Sequence, residues 1–413
     1  MPRQRSSLGL DWLNFFVANV QTGFGPFIAV YLTENRWTTA EIGFALTIGT
    51  VCSLISQMPA GALVDAIDDK RWAVRFGILA VSGTALLYAL STAKVLVYAA
   101  EVLHGLASSV IGPAIAAVSL ALVGRAAFSE RAGRNARFAS IGNGIAAGVM
   151  GAAGSFVSAN SVFWLTAILG VPALLALRMI GPGARTRPAV TTVEPSNEPA
   201  GLAGLKELFL DWRLLVFGGC VLLFFMSNAA MLPLAATQVT KKHPELADLL
   251  IAVTIVVPQL IVAAMSPWVG RSSDRWGRRP IMLLGWIMLP AQGVLYAVVP
   301  VRYAVLLCQA LGGVSAAVFG VTMTLVAADL TQRNGRFNLT LGALGVAIAI
   351  GASISTSLAG IAADALGDKA AFLGLALAGA AGTLLLWLAM PETWDAPSQS
   401  PPTTALAVPV PTG

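Results

Sequence analysis

Two ionisable side chains, Glu101 and His104, lie within a long apolar segment near residues 95–123. Their spacing of three residues places both on one face of a helix. In apolar surroundings a carboxyl group and an imidazole can each take up and release a proton near neutral pH. Ionisable groups inside a membrane segment commonly serve function, so the pair is a candidate for proton coupling. The alternative is that Glu101 reaches the outer interface or pairs structurally, while His104 makes an ordinary hydrogen bond.

Amide side chains occur at isolated positions within the other apolar segments. Inside a membrane such groups must either find hydrogen-bond partners or face a water-filled cavity. We expect them to line a central substrate cavity, with hydrogen bonding between helices as the alternative. Asp11, which lies close to the end of the first segment, is expected to cap a helix or pair with a loop. The candidate cavity-lining residues are Asn14, Asn19, Gln21, Gln57, Asn228, Gln259 and Gln309.

A polar stretch at 270–279, GRSSDRWGRR, separates two long apolar segments. Each charge would cost roughly 2.5–3.5 kcal/mol at the centre of a bilayer, so the stretch is predicted to be a short loop in water. A degraded copy, GALVDAIDDKR, covers residues 61–71. We expect both stretches to act in gating, with simple anchoring at the inner interface as the alternative. The residues are Gly61, Asp65, Gly270, Asp274, Arg275, Gly277, Arg278 and Arg279, with Asp329 as a candidate partner for Arg275 or Arg278.

The composition indicates a chain that is surrounded by lipid. Of 413 residues, 56% are hydrophobic and 11% are charged, against roughly 25% charged residues in soluble domains. Apolar runs of about 20 residues then predict an all-α polytopic membrane protein. Membrane topology explains the net charge of +6 better than nucleic-acid binding does. The three cysteines are isolated and no catalytic or nucleotide-binding motif occurs, so we expect no metal, no cofactor and no enzymatic activity.

Twelve apolar segments have the length of a membrane-spanning helix. When the N-terminus is placed inside, 20 of the 26 Lys and Arg residues fall on the inner side. This asymmetry predicts that both termini are cytoplasmic. The segments lie near residues 8–32, 40–64, 73–92, 95–123, 136–158, 161–180, 211–238, 247–269, 280–299, 301–327, 337–361 and 369–390.

The two halves of the chain repeat each other. The pattern Phe-Phe-x-x-Asn ends at Asn19 and again at Asn228, 209 positions later, and other short matches recur at nearly the same offset. The repeat predicts two pseudo-symmetric six-helix bundles, residues 1–180 and 211–392, related by an axis along the membrane normal.

Two segments lack any helical apolar period. Residues 181–210 contain many Pro, Gly, Thr and Glu residues and are interpreted as a cytoplasmic linker. Residues 393–413 are rich in Pro, Thr and Ser and are interpreted as a disordered cytoplasmic tail.

Twelve spans, a long central linker and the pattern G-x-x-x-D-R-x-G-R-R between spans 8 and 9 resemble the major facilitator superfamily of membrane transporters. The resemblance covers about residues 8–390. It implies alternating access around a midplane site, with the two polar stretches latching the halves together when the outside is open. The first copy departs from the pattern beyond Asp65. Glu101 stands where family antiporters often carry Arg, and their glycine–proline motif is missing from span 5.

The leading hypothesis is a secondary active transporter in the cytoplasmic membrane of a bacterium. It would move a small organic solute by proton-coupled efflux, that is, by proton antiport, a direction favoured by the resemblance. The alternatives are a proton-coupled importer or facilitator of a small neutral metabolite and, from another class, a non-transporting receptor or scaffold. We expect a monomer whose partners are a small-molecule substrate, protons and the lipid bilayer, with no nucleic acid.

Overall fold

The computed structural model describes residues 2–22, 24, 26–181, 211–242, 247–332 and 335–394. This part of the chain contains fourteen α-helices, one short 3₁₀ turn and no strand. The predicted linker and tail lie, apart from their ends, outside the described residues. The helices of the first half are α1 Pro2–Thr22, α2 Pro26–Glu34, α3 Thr39–Ala66, α4 Lys70–Leu90, α5 Lys94–Val123, α6 Phe128–Phe156 and α7 Ser161–Arg178. Those of the second half are α8 Trp212–Asn228, α9 Met231–Lys242, α10 Ala247–Trp276, α11 Arg278–Val298, α12 Val301–Leu330, α13 Phe337–Leu366 and α14 Asp368–Ala389.

Ten stretches of the described chain are long and apolar enough to cross a membrane. Two of them, Gln4–Glu34 and Trp212–Val239, each combine two adjoining helices. Helices α6 and α10 have 29 and 30 residues and complete the set of twelve, although both carry several charges toward one end. The predicted class, an all-α polytopic membrane protein with a helix for each of twelve spans, is therefore confirmed.

The first and seventh predicted segments each contain two helices rather than one. In span 1, α1 ends at Thr22 and α2 begins at Pro26, a residue that supplies no backbone N–H to continue a helix. In span 7, α8 ends at Asn228 and α9 begins at Met231. The two breaks occupy corresponding positions in the repeat.

The polar stretch at 270–279 is also not the ten-residue loop that its charges predicted. Helix α10 continues to Trp276 and α11 begins at Arg278, so the connection is Gly277 alone. Gly277 has φ +92°, a left-handed conformation that a residue without Cβ adopts readily. Polar residues can extend a helix beyond the hydrocarbon, because helix ends there are solvated by water.

One end of the bundle holds Asp65 and Asp274, and we call it the motif end. An apolar core crosses between the halves at this end, since Phe128 and Ala132 pack with the core residues of the second half. The rings of Phe128 and Phe337 meet edge to face with centroids 6.1 Å apart. The motif end is therefore closed by apolar contact between the halves.

Two helix crossings join the halves, and the first is that of α3 with α13. Both helices carry glycine at the crossing. A Cβ on Gly61 would overlap the backbone of Asn338, and a Cβ on Gly342 would overlap the backbone of Gln57. Small residues of this kind allow helix backbones to approach closely in a membrane protein.

The crossing of α6 with α10 repeats this arrangement with the halves exchanged. A Cβ on Gly270 would overlap the backbone of Ser129, and a Cβ on Gly133 would overlap that of Ser266. Each of the four positions differs by 209 from its counterpart in the first crossing. The duplication therefore extends to the residues that hold the halves together.

The α3–α13 crossing yields a test of stability. Gly342→Ala should lower the thermal unfolding midpoint of the purified protein in detergent, because overpacking costs roughly 1–3 kcal/mol. Gly360→Ala is the matched control on the same helix, where an added Cβ meets open space and alanine favours the helix. Equal midpoints for the two variants would show that the crossing does not depend on Gly342.

Candidate functional site

Glu101 is buried in the first half, with 3% of its surface exposed. The Tyr88 hydroxyl donates a hydrogen bond to its Oε1 at 2.5 Å. On the other side α3 passes so closely that a Cβ on Gly49 would overlap Oε2 of Glu101. In the described part of the chain no Lys or Arg pairs with this carboxyl group.

His104 does not join Glu101 in a hydrogen bond, although the two described residues lie on one helix. Its ring instead lies against Phe24, with centroids 4.2 Å apart, and its Nε2 is 3.4 Å from the Ser108 hydroxyl. Its Nδ1 is buried with no partner among the described residues. The structure thus pairs Glu101 with a tyrosine, and proton coupling by Glu101 and His104 stays a prediction.

The second half contains a neutral copy of the Glu101 site. Gln309, 208 positions after Glu101, donates from Nε2 to the hydroxyl of Tyr296 at 3.1 Å. Tyr88 and Tyr296 are also 208 positions apart, a match that the sequence analysis missed although it could be read from the repeat. Gln309 is 4% exposed, so it does not face an open cavity.

The amides near the crossings bond or pack between helices. Asn14 Nδ2 donates to Asn135 Oδ1 of α6 at 3.0 Å. Gln259 Oε1 accepts from the Ser140 hydroxyl at 2.5 Å and so joins α10 to α6. The Gln57 side chain lies against α13, where a Cβ on Gly345 would overlap it. For these three the interhelical role, which was the alternative expectation, describes the contacts.

The remaining amides differ in exposure. Asn19 is 5% exposed and donates to the Phe15 carbonyl of its own helix at 2.8 Å. Gln21 is exposed and Asn228 is half-buried. These residues do not gather into one polar cluster with the other candidates, and cavity lining remains a prediction for them.

Helix α6 carries polar side chains that were not among the candidates from the sequence. Asn143 accepts a hydrogen bond from the Thr22 hydroxyl at 3.1 Å. Asn135 links Asn14 to the Ser119 hydroxyl, to which it donates at 2.8 Å. Asn14 and Thr22 of α1 are thereby both tied to α6.

A cavity of about 150 Å³ lies beside this network, between α1, α5, α6 and α12. Asn14, Asn135 and Thr324 supply its polar groups, and the other lining side chains are small or apolar. Within the described residues no group of three or more His, Cys, Asp or Glu side chains could hold a metal ion. The cavity lining residues are Asn14, Gly112, Ile115, Ala116, Phe128, Ala132, Asn135, Ala136, Ala139, Gly320 and Thr324.

At the motif end Asp65 caps the first turn of α13 in the other half. Its Oδ1 accepts from the backbone N and Nδ2 of Asn338 at 3.1 and 2.7 Å, and its Oδ2 accepts from the backbone N of Leu339 at 2.9 Å. A carboxylate at a helix N-terminus accepts hydrogen bonds from free backbone N–H groups and interacts favourably with the helix dipole.

Asp274 contacts a side chain at the start of α6 and belongs to a larger ionic network. Its Oδ1 accepts from the Ser129 hydroxyl at 2.6 Å and from Arg278 Nη1 at 2.9 Å. Arg278 Nε donates to Asp329 at 3.0 Å, and Arg125 of the first half reaches the same carboxylate at 3.4 Å. Asp329 thus pairs with Arg278, one of its two expected partners.

The other basic residues of the motif stand apart from this network. Arg275 is exposed and forms no ion pair within the described part of the chain. The Arg279 side chain donates to the Trp387 carbonyl of α14. Glu392, beyond α14, accepts from the backbone N of Arg278 at 2.7 Å, which caps α11 after the turn at Gly277.

The described contacts of the first-half copy of the motif differ from those of the second. Asp69 occupies the position of Arg278 and accepts from Arg71 at 2.6 Å within the same half. Lys70 donates to three carbonyl groups at the end of α3, those of Val64, Asp65 and Ile67. Within the described chain, Arg125 and Asp329 form an ion pair across the halves, and Arg278 links it to the second-half copy.

Asp11 forms the most deeply buried ion pair of the first half, which the expectation of helix capping or loop pairing did not anticipate. It is 1% exposed and accepts from Arg131 at 2.6 Å and from Arg134 at 2.5 Å, both on α6. Arg131, itself 4% exposed, also donates to Ser7 and Asn135. The pair joins α1 to α6 near the motif end.

Removing Asp11 should be costly because it leaves Arg131 buried without its carboxylate. We expect Asp11→Ala to lower the free energy of unfolding by roughly 3–5 kcal/mol, read as a fall in the thermal midpoint in detergent. Glu41→Ala, which removes an exposed ion pair with Lys94 and a hydrogen bond to the backbone N of Thr38, should lower the midpoint much less. A larger effect at Glu41 than at Asp11 would refute the structural role of the buried pair.

The Asp65 cap gives a second comparison. Asp65→Ala should destabilise the protein by roughly 0.5–2 kcal/mol, the usual effect of losing a helix N-cap. Asp68→Ala is the control, since Asp68 is exposed three residues away. The thermal midpoint in detergent measures both, and an unchanged midpoint for Asp65→Ala would exclude a stabilising cap.

The comparisons with known proteins agree with this architecture. The family model of the major facilitator superfamily matches residues 10–256 and 220–411. An uncharacterized MFS-type transporter of Mycobacterium tuberculosis, matched in two strains, is 36% identical over 397 residues, covering 95% of this chain and 94% of the relative. The chain belongs to the major facilitator superfamily and is thus a multi-pass membrane transporter, in a family that does not consist of enzymes.

Solved structures share the fold at low identity. The human organic anion transporter TETRAN aligns with a TM-score of 0.70 and 14% identity, covering 94% of this chain and 100% of that one. The Escherichia coli fucose:proton symporter aligns with a TM-score of 0.73 and 15% identity, covering 92% and 97%. A nucleoside transporter aligns with a TM-score of 0.66 and 13% identity, covering 92% and 98%.

Proposed function

We propose that this transporter couples the movement of a small organic solute to protons, with Glu101 as the proton carrier. One observation carries the proposal: Glu101 is a buried carboxyl group that is hydrogen-bonded to Tyr88 and, in the described chain, has no cationic partner. A carboxylate held by an Arg or Lys stays ionised, whereas an unpaired buried one can gain and lose a proton as its access to water changes.

Pseudo-symmetry relates Glu101 to Gln309, and the nature of Gln309 supports a proton site at Glu101 alone of these two positions. Gln309 makes the equivalent contact to Tyr296, and an amide does not titrate. In our proposal the charge of Glu101 changes between the two conformations of the transporter, while the Gln309 site keeps the same scaffold without a charge change. His104, whose Nδ1 has no partner among the described residues, is proposed to take part in the same proton transfer.

The two glycine crossings and the charges at the motif end form the proposed gate. The inner placement of this end is supported by the excess of Lys and Arg in the segments that meet there. With the motif end at the cytoplasm, the structure is closed inside. Asp65 caps α13, and Asp274 accepts a hydrogen bond from the Ser129 hydroxyl of α6. Opening toward the cytoplasm would break both contacts and separate Asp329 from Arg125. We place this gate in the cytoplasmic membrane of a bacterium, in a monomer of two bundles, residues 1–180 and 211–392.

The substrate is proposed to move along the interface between the halves, past the amides of α1, α6 and α10. Asn19, Gln21 and Asn228 are its candidate contacts beyond the crossings, at the depth of the helix breaks in spans 1 and 7. We propose export as the direction. Import by symport is the second candidate, favoured by the fold that this chain shares with the fucose:proton symporter.

Transport in liposomes tests this proposal. The purified protein is reconstituted, and a panel of small organic solutes is screened under imposed pH gradients of either sign. We expect Glu101→Gln to reduce gradient-driven movement at least tenfold while solute exchange without a gradient persists, because the amide cannot carry the proton. Opposite gradient dependences of net movement distinguish antiport from symport.

The control for this experiment is Glu34→Gln, which neutralises an exposed carboxylate at the end of α2 and should leave transport unchanged. If Glu101→Gln transports like the wild type under the gradient, Glu101 is not the proton carrier. If no solute moves in any condition, the receptor or scaffold reading replaces the transport proposal.

A further inference from the structure

The hydroxyl of Tyr88 is the polar group that meets the Glu101 carboxyl group in the described structure. The two oxygens are 2.5 Å apart, and both side chains are buried. In water a carboxylate accepts several hydrogen bonds. In a buried site the loss of even one charge-assisted bond therefore changes the balance between its charged and neutral forms.

The position of the Tyr88 hydroxyl is set by three helices. The Tyr88 ring stacks on Phe163 of α7, with centroids 5.0 Å apart and an interplanar angle of 17°. Its backbone carbonyl accepts a hydrogen bond from the Tyr31 hydroxyl of α2 at 2.8 Å. With its ring and its backbone both held, Tyr88 directs its hydroxyl toward α5 at a fixed place.

Other titratable groups on the surrounding helices do not replace this bond. Cys52 of α3 faces α5 one turn away from Glu101, and Tyr31 of α2 is engaged with the Tyr88 backbone. His104 of α5 contacts Phe24 and Ser108 instead. Glu41 and Lys94 pair with each other at the exposed ends of α3 and α5. Within the described chain none of these side chains bonds to the Glu101 carboxyl group.

The second half shows the same scaffold without the charge. Tyr296 stacks on Phe372, with centroids 4.9 Å apart and an interplanar angle of 23°, and its hydroxyl accepts from Gln309. Phe163 and Phe372 are 209 positions apart, so the tyrosine, its stacked phenylalanine and its polar partner are all duplicated. The chain therefore contains its own control: a tyrosine in an equivalent packing environment, beside a side chain that does not titrate.

We propose that Tyr88 is a positioning residue that holds the Glu101 carboxylate and sets the pH range in which this group exchanges its proton. The inference rests on the proposed function of Glu101 as the proton carrier. The hydroxyl donates to the charged form, and a donor to a carboxylate favours its ionised state. Removal of the hydroxyl should therefore make Glu101 protonate at higher pH.

Infrared difference spectroscopy of the full-length protein in lipid nanodiscs tests the inference with protons as the only ligand. The carbonyl stretch of protonated carboxyl groups is followed during a pH titration, and the Glu101 contribution is the band missing from Glu101→Gln. We expect Tyr88→Phe to move the midpoint of this band upward by about one to two pH units, since hydrogen bonds to charged groups have that strength. Tyr296→Phe, the matched control, should leave the midpoint in place.

The outcomes separate this inference from the proposal on which it rests. A Glu101 band whose midpoint is the same in Tyr88→Phe overturns the role of Tyr88 and leaves Glu101 as the proton carrier. A titration in which Glu101→Gln removes no band overturns both. A merely structural role for Tyr88 would lower stability without moving the midpoint.

A second variant covers the case in which Tyr88→Phe fails to fold. Gln309→Glu places a carboxyl group beside Tyr296 and should add a second titrating band. Adding Tyr296→Phe to that variant should shift the new band upward, as expected for the first-half pair. If the midpoint of the new band is the same with and without Tyr296→Phe, the inference that the tyrosine controls proton exchange is overturned.

Discussion

The contact of Asp65 with the first turn of α13 is the interaction on which the closed end of the molecule depends. Three hydrogen bonds from the other half converge on this carboxylate, which also interacts favourably with the positive end of the helix dipole. The contact requires that two backbones nearly touch, and Gly61 and Gly342 make that approach possible. A side chain at either glycine would hold α13 away from the carboxylate. Packing and electrostatics are therefore coupled at one crossing.

The duplicated chain uses one scaffold for two different tasks. At the motif end Asp65 caps α13 and Asp274 accepts from the Ser129 hydroxyl of α6, each across to the opposite half, but only Asp274 is joined to an ionic network that reaches Arg125 across the interface. Deeper in the helices, Glu101 and Gln309 each meet a tyrosine that is stacked on a phenylalanine. In both cases the halves share a backbone arrangement, and the residues at equivalent positions decide which charged groups take part.

Charge at the ends of the helices explains where the sequence-based description was wrong. The stretch at 270–279 has the composition of a loop, yet its residues form the last turns of α10 and the first turn of α11 around Gly277. The composition indicates that the segment lies in water, but it does not decide whether the segment is helical. The helix continues because its backbone hydrogen bonds and its contacts with α6 remain favourable there. The break after Thr22 is the opposite case, since a stretch long and apolar enough to cross a membrane divides where Pro26 begins a new helix.

The sequence by itself determined the class of protein, because apolar length and the 209-residue repeat depend only on the order of residues along the chain. It also identified Glu101, Asp65 and Asp274 as unusual, since each is a charge next to or within an apolar segment. Only the tertiary structure decided their partners. Helical periodicity relates Glu101 to His104 on one helix, but the partner that the carboxyl group meets, Tyr88, lies on another. Contacts between helices follow from the packing of whole surfaces, which spacing along one helix does not specify.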